Sequence, residues 1–144
     1  MSAIRLLGAQ GASDELWTLY GEDSSEEIRK RILHGLSMAG DVERIGAVAR
    51  DNGASDELRK AAIHNLGIAG EASRPLLLDI YESDPSDELK MQVLHSLFLQ
   101  DAAAELVAIA RVESNADLKK QAVHWLSLMD ATEAKEFMME ILRR

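Results

Sequence analysis

Arg29-Lys30-Arg31-Ile32-Leu33-His34-Gly35-Leu36-Ser37-Met38-Ala39-Gly40 returns as RKAAIHNLGIAG over 59–70, as LKMQVLHSLFLQ over 89–100 and as LKKQAVHWLSLMD over 118–130. One histidine stands in each phrase. His34, His64, His95 and His124 are 30, 31 and 29 residues apart. A near-constant period of about thirty residues marks a stacked repeat protein, in which one unit is too small to bury its own apolar face. Neighbouring units then share one continuous core.

Aligning on the histidines exposes further rows. Three residues before Ile28, Leu58, Leu89 and Leu118 stand Ser25, Ser55, Ser86 and Asn115. Each is a favoured N-cap, whose side-chain oxygen accepts an orphan amide of the first helical turn. Acids follow at once (Glu26 and Glu27, Asp56 and Glu57, Asp87 and Glu88, Asp117), where negative charge complements the helix dipole. The helices so begun are predicted to stop near Gly40, Gly70, Asp101 and Asp130, Gly being the usual left-handed stop and Asp a poorer one. A shorter amphipathic segment follows each stop: VERIGAVAR, SRPLLLDIY, AAAELVAIAR and TEAKEFMMEIL. Pro75 falls in a first helical turn, where a missing amide is harmless. Polar links such as DNGAS, ESDP and VESN lead to the next cap, and nothing alternates with the period of a strand. The unit is helix–turn–helix.

The first unit is incomplete. Ala3 to Gly11 aligns with the last half of a capped helix, with Arg5 in the histidine slot, and DELWTLY matches the second helix. The predicted units are 1–23 (partial), 24–53, 54–84, 85–113 and 114–144. A start in mid-repeat raises the expectation of a longer array, or of end-to-end self-association through the incomplete N-terminal repeat.

Composition narrows the function. Of 144 residues 47% are apolar and 4% aromatic, with two prolines and nine glycines, which suits an aliphatic all-α core. No run approaches the roughly eighteen apolar residues of a membrane span, so no membrane partner is expected. MSAIRLLGAQGASDE lacks a basic stretch followed by an apolar one, so no export signal is expected. Cysteine is absent, which excludes disulfides, thiolate zinc sites and a cysteine nucleophile. The formal charge of −9 opposes the positive field that a nucleic-acid binder uses to displace counterions.

In the pattern I-R-K-x-x-x-H-x-L-x-x-A-G, met from Ile28 to Gly40 and again with leucine first from Leu58 to Gly70, the chain resembles the short HEAT-like repeats of bacterial HEAT-repeat proteins and of the phycobilin-lyase type. The resemblance covers nearly the whole chain. The unit around His95 departs from it with Gln100-Asp101 in place of the glycine stop, and the unit around His124 with Met129-Asp130. The resemblance implies a right-handed α-α superhelix, an α-solenoid of about four and a half helix-pair repeats, with the capped helices lining its concave side. It also implies that Arg29, Arg59, Lys90 and Lys119 tie neighbouring repeats together. It carries over no catalytic residue and no cofactor.

Positions four apart share one side of a helix. The histidine stripe therefore runs Lys30, His34, Met38; Lys60, His64, Ile68; Met91, His95, Leu99; and Lys120, His124, Leu128. Ile32, Leu36, Ile63, Leu66, Leu94, Leu97, Val123 and Leu126 are predicted to fill the core side. Glu27, Glu57, Glu88 and Asp117 are expected to edge one rim, and Lys30, Lys60 and Lys120 to disfavour protonation of the nearby imidazoles. A basic row, a histidine row and an apolar row in parallel make a docking surface for a protein or peptide. The plainer reading is that each imidazole packs on the next helix as an inherited part of the repeat.

No metal is expected. Stacked helices lie about 8–10 Å apart, too far for successive histidines to share a zinc at about 2 Å per bond. No slot three or four residues from a histidine holds a carboxylate or a second histidine. Trp17, Trp125 and the group Phe137, Met138 and Met139 read as core. The chain is thus expected to be a non-catalytic binding scaffold. The alternatives are a structural segment of a larger polypeptide and, against the charge, a HEAT-like enzyme acting on nucleic acid.

Overall fold

A computed structural model of the chain describes residues 2–22, 25–84 and 86–143. Among the described residues there are ten α-helices and no strand: α1 Ser2–Ala9, α2 Ser13–Glu22, α3 Glu26–Met38, α4 Val42–Ala49, α5 Asp56–Ala69, α6 Arg74–Ser83, α7 Asp87–Leu99, α8 Ala103–Val112, α9 Ala116–Ser127 and α10 Thr132–Leu142. Pro85, in the ESDP link, lies outside the described residues. A 3₁₀ turn, Glu71–Ser73, leads into α6 and places Pro75 in its first turn.

The four predicted caps close the starts of α3, α5, α7 and α9. Ser25 Oγ accepts from the Ile28 amide at 3.4 Å, Ser55 Oγ from Leu58 at 3.1 Å and Ser86 Oγ from Leu89 at 3.3 Å. Asn115 Oδ1 accepts from the amides of Asp117 and Leu118 at 2.9 and 3.1 Å. Two caps also reach back to the preceding unit's first-turn acids. Ser55 Oγ donates to Glu26 at 2.5 Å and Asn115 Nδ2 to Asp87 at 3.1 Å.

Gly11, Gly40 and Gly70 share one slot and all have positive φ, at 72°, 77° and 100°. Asp101 fills the same slot at φ 58°, a region that costs a residue with a Cβ about 1–2 kcal/mol. Asp130 does not follow them. Here α9 ends early, Leu128 stays right-handed, and the Leu128 and Met129 amides turn back to the Trp125 and Leu126 carbonyls. Asp130 instead pairs with Lys135 at 2.9 Å. The end of α5 is closed from the next unit. Gln100 Nε2 donates to the Gly70 carbonyl at 2.8 Å and to Ser73 Oγ at 2.7 Å, while Arg74 Nε donates to Gln100 Oε1 at 3.1 Å.

The odd-numbered helices contact one another in chain order, α1 on α3, α3 on α5, α5 on α7 and α7 on α9, with α5 on α7 the most extensive contact. Their closest approaches fall at equivalent slots. A Cβ on Gly8 would lie 2.8 Å from the Gly35 backbone, and one on Gly67 2.8 Å from Ser96 Cβ, while Ser96 Oγ donates to the Ile63 carbonyl at 2.9 Å. Between α7 and α9 the same slots hold Phe98 and Trp125, stacked at 4.6 Å. The even helices are tied to one another by ion pairs: Asp14–Arg44 at 2.8 Å, Arg50–Asp79, Arg74–Glu105 at 3.8 Å and Arg111–Glu140 at 2.6 Å.

Seven of the predicted core positions (Ile32, Leu36, Ile63, Leu66, Leu94, Leu97 and Leu126) are buried. Val123 is only half-buried, because α9 has no odd-numbered helix beyond it among the described residues. Phe137 is buried and Met138 half-buried, but Met139 is exposed, on the outer side of α10. Trp17 is half-buried, stacked on Tyr20 at 5.0 Å.

The basic slot behaves unevenly. Arg29 Nε donates to the Tyr20 carbonyl at 3.2 Å and Arg59 Nε to the Ala49 carbonyl at 2.9 Å. Arg59 is buried and its guanidinium also binds buried Asp84. Lys90 lies over the Tyr81 ring at 5.5 Å, and Lys119 is exposed.

Two stability outcomes follow from these positions. Gly40→Ala is expected to cost about 1–2 kcal/mol, because its left-handed backbone disfavours any Cβ. Gly21→Ala, inside α2 with open space around it, is expected to gain about 0.5–1 kcal/mol of helix propensity. Urea titration of both variants reads the contrast. Asp84→Ala leaves Arg59 buried and unpaired, for an expected loss of about 3–5 kcal/mol. Replacing both residues by Arg59→Met and Asp84→Leu should restore most of it in the same titration.

Candidate functional site

The repeat places the three predicted rows on α3, α5, α7 and α9, and burial then sorts them. The apolar row is open to solvent. Met38 is 45% exposed, Ile68 47%, Leu99 45% and Leu128 59%; the other exposed large apolar residues, Leu6, Leu19, Val112, Met139 and Leu142, share no such slot. One such residue on a surface is ordinary; four in one repeat slot form a patch with a direction.

The first row is mixed. Lys30 is half-buried and Lys120 exposed, while Met91 packs against the core. Lys60 is bound by Glu88 at 2.7 Å and Glu57 at 3.4 Å. Those two carboxylates, Glu88 first, hold its ammonium above the ordinary lysine value. The expected rim of acids is therefore partly spent on nearby cations, Glu57 and Glu88 on Lys60 and Glu27, at 3.6 Å, on Arg31.

The histidine row is continuous through its middle. His64 and His95 stack with ring centroids 6.1 Å apart and planes 16° from parallel. The side chains thus come closer than the spacing expected of the helices. His95 in turn meets Trp125 at 5.0 Å, and Trp125 stacks on Phe98. His34 and His124 are exposed, and His124 is tilted 58° against Trp125 at 5.1 Å. Trp125, rather than His124, receives the end of the row. Reading it as core misses this role. Its slot is the one held by Gly35, Asn65 and Ser96, and the equivalence is visible in the sequence once the slots are aligned.

Half-burial, then His95 and His34, push the His64 pKa below the ordinary 6.5. Lys60 has no part in this, because it is turned onto Glu57 and Glu88. The buried Trp125 Nε1, Gln92 Nε2 and Asn65 Oδ1 find no hydrogen-bond partner among the described residues. Nor does any group of three His, Asp or Glu side chains there come together in a way that could hold a metal ion. No helix is long and apolar enough to cross a membrane among the described residues. Away from this face, burial and then the Glu113 hydrogen bond push the Tyr81 phenol up, while that same bond holds the Glu113 carboxyl below its ordinary value.

Compared with known proteins, the chain matches no family model, no curated protein and no solved structure.

A lowered histidine pKa has a definite sign. The unfolded chain takes up the proton first, so folding loses stability as pH falls from 6.5 toward the lower folded value, and loses nothing above that window. Thermal melts between about pH 7 and pH 5 should show this loss reduced in His64→Gln. The His64 ring should titrate below 6.5 by NMR. Carboxylates with lowered values, Glu113 and Asp130, act at more acidic pH.

Proposed function

We propose that the helix pairs stack as a right-handed α-solenoid of about four and a half HEAT-like repeats, and that its concave, histidine-bearing face binds a protein or peptide without catalysing a reaction. The serial contacts of the odd helices and the ion pairs that link successive even helices support the stacked arrangement. The observation that carries the binding reading is the exposed apolar row Met38, Ile68, Leu99 and Leu128 beside the histidine row. Leu6, Leu19, Val112, Met139 and Leu142 are exposed as well, but only these four recur in one slot of successive repeats, where each costs burial energy that a partner could recover.

Chemistry at the imidazoles has little support. Among the described residues none of the four is paired with a carboxylate that would orient it as a base. Two of them use their faces on each other. Such a surface suits recognition, where a few contact positions per repeat add up over the array.

The test is a selection of displayed random peptides on the intact protein, with the selected sequences remade and measured by fluorescence anisotropy. The double variant Ile68→Glu and Leu99→Glu is expected to weaken them about tenfold or more, with its helical circular dichroism unchanged. Failure to select any peptide, or equal affinity for the double variant, would overturn the reading.

A further inference from the structure

One end of the histidine face carries charge of its own. A cleft of about 260 Å³ opens between α1 and α3, lined by Ile4, Arg5, Lys30, Arg31, His34 and Gly35. Gly35, one of its lining residues, is also where the backbones of the two helices come close, at Gly8. Three of its six lining residues are permanent cations, in a chain of net charge −9. Arg31 lies 3.6 Å from Glu27, but Arg5 and Lys30 make no ion pair among the described residues. Arginines in two other clefts are already paired, Arg50 and Arg59 with Asp79 and Asp84, and Arg111 with Glu140. Arg5 stands in the histidine slot of the first unit, so this cleft carries the row on from His34 to α1.

We infer that the cleft between α1 and α3 receives the carboxylates of an acidic peptide segment, whose adjoining apolar side chains lie along Met38, Ile68 and Leu99. This rests on the reading of the histidine face as a peptide-binding surface and adds the ligand's chemistry and direction to it. Two unpaired cations facing one small cleft lower the energy of a carboxylate there, and Arg5 can hold one through two donors at once. Met38 lies eight residues, about 12 Å, along α3 from Lys30. An extended peptide rises about 3.3 Å per residue, so its acidic and first apolar residues stand about four positions apart. Single-stranded nucleic acid fits less well. It is held by aromatic faces on which its bases stack, and here His64, His95, Trp125 and Phe98 already stack on one another.

Peptides selected on the wild-type protein are expected to be rich in Asp and Glu on one side of their apolar residues. Their affinity should fall about tenfold in Arg5→Gln with Lys30→Gln, and further in the charge-reversed pair Arg5→Glu with Lys30→Glu. It should also weaken as salt rises, since the contact is partly exposed. Arg5 is exposed and Lys30 half-buried, and a thermal melt checks that both pairs fold. Selected peptides without acidic enrichment would overturn the inference, as would equal affinity for the neutral pair. A twelve-residue oligothymidylate that binds more tightly than the selected peptides would also overturn it, in favour of nucleic acid. Sensitivity to Ile68→Glu and Leu99→Glu alone would leave peptide binding standing and remove only the acidic cleft.

Discussion

How closely successive odd helices approach one another sets nearly everything else on this molecule. Where Gly8 meets Gly35, and Gly67 meets Ser96, no side chain larger than a hydroxymethyl group fits between the backbones. Such a contact is as much a register as an attraction, because only one rotation and one offset of the helices bring the small residues together. The Ser96 hydrogen bond to the Ile63 carbonyl fixes that offset with a directional bond in a buried place. With registers fixed, equivalent residues of different helices fall side by side, and the histidines meet as a consequence.

Charge does a different kind of work in the connecting elements. Exposed pairs such as Arg50–Asp79 and Arg111–Glu140 contribute at most about 1 kcal/mol each. Their repetition between successive even helices marks which helices neighbour which. Arg59 is the exception. Buried, bound to the Ala49 carbonyl and to Asp84, it joins the end of α4 to the link before α7. Losing one partner would strand a charge away from water, so the contact enforces the arrangement more than it adds net stability.

The histidine face combines two surfaces with opposite tendencies. Its aromatic stack is turned inward on itself, and burial keeps the His64 imidazole short of its proton. Its apolar row is turned outward. On the proposed reading, the stacked rings would already be ordered before a partner covered the apolar row, which lowers the entropy cost of binding.

Much of this was legible residue by residue. Ser25, Ser55, Ser86 and Asn115 announce helix starts because a cap needs only its own local geometry, and Gly40 and Gly70 announce stops for the same reason. Asp130 misled because it shares Asp101's slot without sharing its backbone; the rest of the last unit lets α9 end sooner. Gln100 and Asp84 gave no local sign of their roles, since they serve groups 30 and 25 residues away. The sequence by itself determined where helices begin, which side of each is apolar, and that equivalent slots recur, because those depend on spacing along the chain. Only the tertiary structure decided that Trp125 would take the end of the histidine row, that Lys60 would turn to Glu88, and that Val123 and Met139 would stay out of the core. Each of those depends on what a neighbouring helix presents across a gap of a few ångströms, and no single helix encodes it.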